Sequence, residues 1–175
     1  MKPPIKNARV IAMRVLSQVI DDHRSLTAVL SNEDPKNQHS SLIKELCFGT
    51  CRWYFQLAIV AEKLLEKPLK SKDRDIYFLI LLGLYQLLYL NLPKHVAVLE
   101  TVEAAKVIQK SWATKLINGV LRNFLRQQDT LMAAVNQNRV GQYAHSVWML
   151  DAIVKHCPEN WRTILTANNE HPSFV

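Results

Sequence analysis

Apolar residues recur every three or four positions along most of the chain, which is the spacing of one face of an α-helix. Segments with this period cover residues 5–19, 42–67, 72–91, 93–109, 113–136, 146–157 and 158–168. No run alternates between apolar and polar residues with flanking turn signals, as a half-buried strand would. The pattern therefore predicts an all-α fold, built as a helical bundle.

Prolines and polar runs predict where these helices begin and end. Pro93 and Pro158 each stand just before a periodic segment, where the missing N–H costs nothing. The polar stretch 31–40 is predicted to be a loop. Within 42–67 we expect a break near Gly49, and Ser71 is expected to cap the following helix.

The segment 72–91 is apolar on nearly every side, so it should lie at the centre of the bundle. Its most apolar part, residues 76–90, is 15 residues long, whereas a membrane span needs about 20. We therefore expect a buried helix and no membrane association.

Composition narrows the possible functions. The chain has 175 residues, 49% of them apolar, which is enough for a real core. Its four glycines are scattered and cannot form a phosphate-binding loop, so no nucleotide cofactor is expected in this chain. Three cysteines without a CxxC pair, and no signal-peptide pattern, favour a reduced, cytoplasmic location without a metal site.

The positive charge is concentrated in two segments. Residues 1–31 hold five basic and two acidic residues (net +3), and residues 110–139 hold five basic and one acidic (net +4), within a formal net charge of +7. At about 100° per residue, Lys115, Arg122 and Arg126 share one helix face with Asn118. Lys2, Lys6 and Arg9 line one side of the first helix. One basic face alone could simply be a solvent-exposed surface without a binding function. Two basic faces that lack balancing acidic residues favour a partner that carries phosphate groups.

The sequence gives weaker evidence for catalytic residues than for a basic surface. Cys47 and Cys51 share a helix face without further zinc-ligand spacing, so they are interpreted as buried apolar residues. Glu100 and Glu103 could act as an acid–base pair, but an ion pair between Glu103 and Lys106 is the better interpretation. Trp112, between Lys110 and Lys115, is the aromatic residue best placed to stack on a base.

Several residue strings resemble one enzyme family. They are ELCFG at 45–49, GLYQLLY at 83–89, ETVE at 100–103 and, most specifically, LINGVLRNF at 116–124. Together they resemble the N-terminal region of bacterial 16S ribosomal RNA cytosine-5 methyltransferases of the Sun/Fmu (RsmB) type. Residues 1–137 are similar to the all-helical NusB antitermination factor. Residues 138–175, with WML, PENW and ANN strings, resemble the start of the helical linker to the methyltransferase module.

The resemblance implies a non-catalytic part that holds and orients 16S ribosomal RNA. The family's S-adenosylmethionine module and cysteine pair are not expected in this chain. The four glycines cannot form the cofactor loop, and Cys157-Pro158 reverses the family's Pro-Cys order. S-adenosylmethionine is thus expected only for a full-length parent, and the missing methyltransferase domain is an expected partner. The resemblance supports RNA contacts near Lys6 and Arg9. Gly119 of the motif is expected to allow close helix packing.

Two alternatives stay open. One is a free-standing transcription antitermination factor of the NusB kind. The other is a protein-interaction module whose basic faces meet an acidic partner.

Overall fold

A computed structural model describes residues 7–33 and 37–170 and confirms the all-α fold. Within these residues there are eleven α-helices, a 3₁₀ turn at Ser71–Asp73 and no strand. The helices are α1 (Ala8–Ile20), α2 (Leu26–Leu30), α3 (Ser40–Arg52), α4 (Tyr54–Leu64), α5 (Arg74–Tyr89), α6 (Lys94–Val107), α7 (Ala113–Arg126), α8 (Gln128–Asn136), α9 (Arg139–Tyr143), α10 (Val147–His156) and α11 (Trp161–Asn169).

Helix α5 forms the centre of the bundle, as its uniformly apolar sequence predicts. It packs against α1, α3, α4, α6 and α7, and every residue from Phe78 to Leu87 is buried. In the part of the chain that the structure describes, no helix is long and apolar enough to cross a membrane. The five neighbouring helices thus cover the apolar surface of α5 on all sides.

The close approach of α5 and α7 depends on a glycine. A Cβ at Gly83 would lie 2.7 Å from Leu121 Cδ1, closer than a carbon–carbon contact allows. Leu121 itself is fully buried. The missing side chain at Gly83 therefore lets the apolar face of α7 settle directly on the central helix.

The observed boundaries correct several expectations. The break in 42–67 lies at Trp53 rather than Gly49, and the predicted helix 113–136 divides at Gln127 into α7 and α8. Helices α2 and α9 are additional short elements that the apolar periodicity did not predict. Ser71 begins the 3₁₀ turn and does not cap α5, which starts at Arg74.

Helix α9 joins the predicted linker to the bundle. It packs on α4 and α8, and Gln56 Nε2 of α4 donates a 2.7 Å hydrogen bond to the Gly141 carbonyl. Helices α10 and α11 in turn pack on α9, with Asn169 Nδ2 donating to the Tyr143 carbonyl at 2.7 Å. The predicted pair of C-terminal helices is therefore present, attached through α9. The division at residue 137 stays a prediction.

A buried polar network connects α1, α5 and α6. Gln86 is fully buried; its Oε1 accepts from Arg9 Nε at 3.0 Å, and its Nε2 donates to the Leu82 carbonyl and to Thr101 Oγ1. Arg9 Nη1 lies 3.7 Å from a carboxylate oxygen of Glu100. Burial lowers the pKa of Arg9, and Glu100 opposes part of that effect.

This network overturns the expectation for Arg9. The residue is only 7% exposed, and its guanidinium faces Gln86 and Glu100 rather than solvent. A side chain committed to the interior cannot contact a polyanion at the surface. Arg9 is therefore a structural residue that ties α1 to α5 and α6.

We predict that Gly49→Ala lowers the free energy of unfolding by about 1–3 kcal/mol, because an added Cβ would overlap the ring of Tyr85. The ring cannot move away freely, since its hydroxyl donates to Glu45. Urea unfolding measures the change, with Lys44→Ala on the exposed side of the same helix as control. Equal stability of the Gly49 variant and the wild type would contradict the packing described.

A second prediction concerns the pair formed by Arg9 and Gln86. Arg9→Met and Gln86→Leu should each cost about 1–3 kcal/mol, because each leaves a buried polar partner unsatisfied. The double variant should lose less than the sum of the two, since both polar groups are then gone. Urea unfolding of the four proteins gives the coupling free energy, and strict additivity would show that the two side chains do not depend on each other.

Candidate nucleic-acid interface

Helix α7 presents two different faces. Its inner face buries Ile117, Val120, Leu121 and Phe124 against the bundle. Its outer face carries Lys115, Arg122 and Arg126, and all three side chains are exposed. We call these three residues, with Asn118 beside them, the basic ridge. The structure thus brings together on one surface the four α7 residues that the sequence singled out.

Among the residues that the structure describes, no carboxylate forms an ion pair with a cation of the basic ridge. In residues 7–33 and 37–170, the ion pairs are Arg9–Glu100, Arg74–Asp21, Lys106–Glu103 and those of Lys110 with Asp73 and Asp75. None of them includes Lys115, Arg122 or Arg126. This face therefore keeps an excess of positive charge.

Asn118 orients one of the arginines. Its Oδ1 accepts a 2.9 Å hydrogen bond from Arg122 Nε, four residues further along the helix. This bond occupies Nε and leaves the two terminal nitrogens of the guanidinium available to a ligand. The Asn118 amide nitrogen adds further donors on the same face. Asn118 therefore positions Arg122 as well as offering contacts of its own.

Not every basic residue near α7 belongs to this surface. Lys110 Nζ lies 3.0 Å from Asp73 Oδ1 and 2.8 Å from Asp75 Oδ1. Partial burial alone would lower the pKa of Lys110, but the bonds to Asp75 and Asp73 raise it. Lys106 pairs with Glu103, as the sequence predicts. Both lysines are thus paired with carboxylates, and neither adds an unpaired cation to the basic ridge.

Trp112 lies just before α7 and is 57% exposed. Aromatic residues of this size are usually buried, so an exposed indole next to a basic face is notable. On the helical projection it falls at the N-terminal end of the basic ridge, about 60° from Lys115. The ring of Trp112 is therefore accessible, and its role in stacking on a base stays a prediction.

A groove runs beside the basic ridge, between α7 and the segment that follows α4. Its volume is about 610 Å³. Its lining comprises Leu64, Leu65, Glu66, Lys67, Leu69, Lys115, Leu116, Gly119, Val120, Asn123 and Arg126. We call it the α7 groove. In the part of the chain that the structure describes, three cations and one carboxylate line this groove, together with an apolar wall. This composition suits an anionic ligand that also carries apolar surface.

Gly119 does not have the role that the sequence suggested. A Cβ built there would meet no atom of residues 7–33 and 37–170 within 4 Å, so no helix in this part of the chain approaches the position. The glycines that do permit close contacts are Gly49, Gly83 and Gly141. Gly119 instead lies exposed on the outer face of α7, in the lining of the α7 groove.

The second basic face, predicted on the first helix, is not supported as a unit. Lys2 and Lys6 lie outside the described residues, and Arg9 is buried. Of the two predicted basic faces, only the one on α7 is therefore seen in the described residues.

Lys67 and the α7 groove were not predicted from the sequence, because their position depends on how the segment after α4 packs against α7. The only local signal was a basic residue beside the Pro68 break.

The cysteines show no reactive arrangement. Cys47 is fully buried, and burial raises its pKa above the ordinary value. Burial also raises the pKa of Cys51 to about 11, so both are protonated thiols at neutral pH. Cys157 is exposed on its own. Among the residues that the structure describes, no group of three or more His, Cys, Asp or Glu side chains could hold a metal ion.

The chain is similar to known proteins over almost its whole length. The chain is 49% identical over 169 residues to a protein of Coxiella burnetii named "Probable ribosomal RNA small subunit methyltransferase B", and this match covers 97% of the chain and 39% of that protein. The proteins named ribosomal RNA small subunit methyltransferase B from Proteus mirabilis and Escherichia coli O1:K1 are 43% and 41% identical, each over 95% of the chain and 40% and 39% of their own length. The chain thus spans about 40% of the length of these relatives. Residues 6–126 match the NusB family, and the chain therefore belongs to the NusB family.

Proposed function

We propose that this chain is the RNA-binding, non-catalytic part of a small-subunit ribosomal RNA methyltransferase, and that it holds and orients 16S ribosomal RNA. The observation that carries the proposal is the basic ridge: three exposed cations, outside the ion pairs of the described residues, on a helix whose other face is buried. Binding of a polyanion to such a surface is favourable because it releases the counterions of the polyanion.

The dimensions of the basic ridge favour a polymer over a small anion. Lys115 and Arg126 are eleven residues apart, which corresponds to about 16 Å along a helix axis. A single phosphate cannot reach across that length, whereas successive phosphates of a nucleic-acid strand can. Arginine binds phosphate through paired N–H donors, so Arg122 and Arg126 suit this ligand well.

The similarity to the relatives extends through the helices that follow the family match. The family match ends at residue 126, but the relatives match 95–97% of the chain, and so take in much of α8 to α11 as well. This favours the methyltransferase over a free-standing antitermination factor. We further propose that residues 1–137 bind RNA and that residues 138–175 lead to a methyltransferase module, which would use S-adenosylmethionine.

A charge-reversal experiment tests the RNA contact. The triple variant Lys115→Glu, Arg122→Glu, Arg126→Glu should lower affinity for small-subunit ribosomal RNA roughly 100-fold or more, because three charge-assisted contacts become repulsions. The slope of log affinity against log salt should also fall by about 2. Fluorescence anisotropy over a range of salt concentrations measures both quantities.

The matched control is the triple variant Arg24→Glu, Lys44→Glu, Lys155→Glu, made at exposed positions on other parts of the chain. Each reversal changes the charge by two, so both triples lower the formal net charge from +7 to +1. The control should retain most of the affinity. Equal losses in both variants would show that overall charge, and not the α7 surface, governs binding. Retained protein capture after nuclease treatment, with no RNA affinity, would instead support an acidic protein partner.

A further inference from the structure

Gly119 stands in a place where a glycine has a cost and no structural benefit. It lies in the interior of α7, where glycine is about 1 kcal/mol less favourable than alanine. Its backbone is helical, without a positive φ that would require glycine. No atom of the described residues lies where a methyl group at this position would strike it. The fold alone therefore does not account for a glycine at this position.

The three other glycines show what a structural reason looks like. At Gly49 a Cβ would overlap Tyr85, at Gly83 it would strike Leu121, and at Gly141 it would strike Val135. All three are buried, whereas Gly119 is exposed. Gly119 thus differs from them in both surroundings and accessibility, which points to a requirement from outside the folded chain.

The position of Gly119 on the helix indicates what that requirement is. On the helical projection it falls about 40° from Lys115 and 20° from Arg126, and so lies on the basic ridge. Lys115 is one turn before it and Arg122 and Arg126 follow within two turns. Because Gly119 has no side chain, the helix backbone itself is accessible at the middle of this cationic surface.

The same glycine lies in the lining of the α7 groove. Lys67 lines that groove from the segment after α4, and Lys115 and Arg126 line it from α7. Glu66 is the single acid among the described residues of the lining, and the charged groups of these residues sum to +2. A ligand strand that enters the groove would therefore pass over Gly119 with cations on both sides.

We propose that Gly119 is a contact point at which the sugar–phosphate backbone of RNA lies directly against α7, with phosphates held by Lys115, Arg126 and Lys67. This inference rests on the proposed function and names the part of the surface that the RNA approaches most closely. Any side chain at position 119 lifts the strand away from the helix. The contacts of the flanking cations then lengthen, and their charge-assisted hydrogen bonds weaken.

The test compares Gly119→Ala and Gly119→Leu with the wild-type chain. Both variants should fold, and Gly119→Ala should raise the thermal unfolding midpoint by about 2–4 °C, because alanine is the better helix former. Affinity for small-subunit ribosomal RNA should fall slightly in the alanine variant and by about tenfold or more in the leucine variant. Circular dichroism and fluorescence anisotropy give the two readouts.

Ala133→Leu is the matched control, because it adds the same apolar bulk at an exposed position of α8. It should leave RNA affinity unchanged. Wild-type affinity in Gly119→Leu, in a protein whose charge-reversed ridge has lost binding, would overturn this inference and leave the proposed function standing. No binding by the wild-type chain would defeat the proposed function itself. A lower unfolding midpoint in Gly119→Ala would show that position 119 is packed after all.

Discussion

The structure depends on the burial of α5 from every side. A helix without a polar face is stable in water only when neighbouring helices enclose it, and here α1, α3, α4, α6 and α7 do so. Each of these helices must give one apolar face to the centre. Helix α7 gives Ile117, Val120, Leu121 and Phe124, which fixes its opposite face toward solvent. The helix that carries the basic ridge is therefore fixed in place by the way the core is built.

A rigid cationic surface has a functional advantage over cations on mobile loops. Ligand binding costs less when the side chains that make contacts start from an ordered base. Asn118 extends this order to the side-chain level by accepting a hydrogen bond from Arg122. The resulting surface suits the proposed role, in which this chain orients RNA for a methyltransferase module. Reactive thiols would add nothing to that task, and the two cysteines of α3 are buried or protonated.

The parts predicted well from sequence are those that depend on local periodicity. The central helix, α6 and the two-faced α7 follow from the spacing of apolar and basic residues within single segments. The burial of Arg9 could not be predicted in this way, because its hydrogen-bond partner Gln86 lies 77 positions away in the chain. The role of Gly119 was misjudged for a related reason: only the crossing points of helices show which glycine is in contact. The breaks at Trp53 and Gln127 contain neither proline nor glycine, so no local signal marked them.

Lysine acetylation of the wild-type chain, with and without small-subunit ribosomal RNA, tests the central claim most directly. Mass spectrometry reports the labelling rate at each lysine separately. If RNA lies along α7, Lys115 and Lys67 become protected, while exposed Lys44 and Lys155 react at unchanged rates. Unchanged labelling of Lys115 in saturating RNA, with protection at lysines on other helices, would contradict the account.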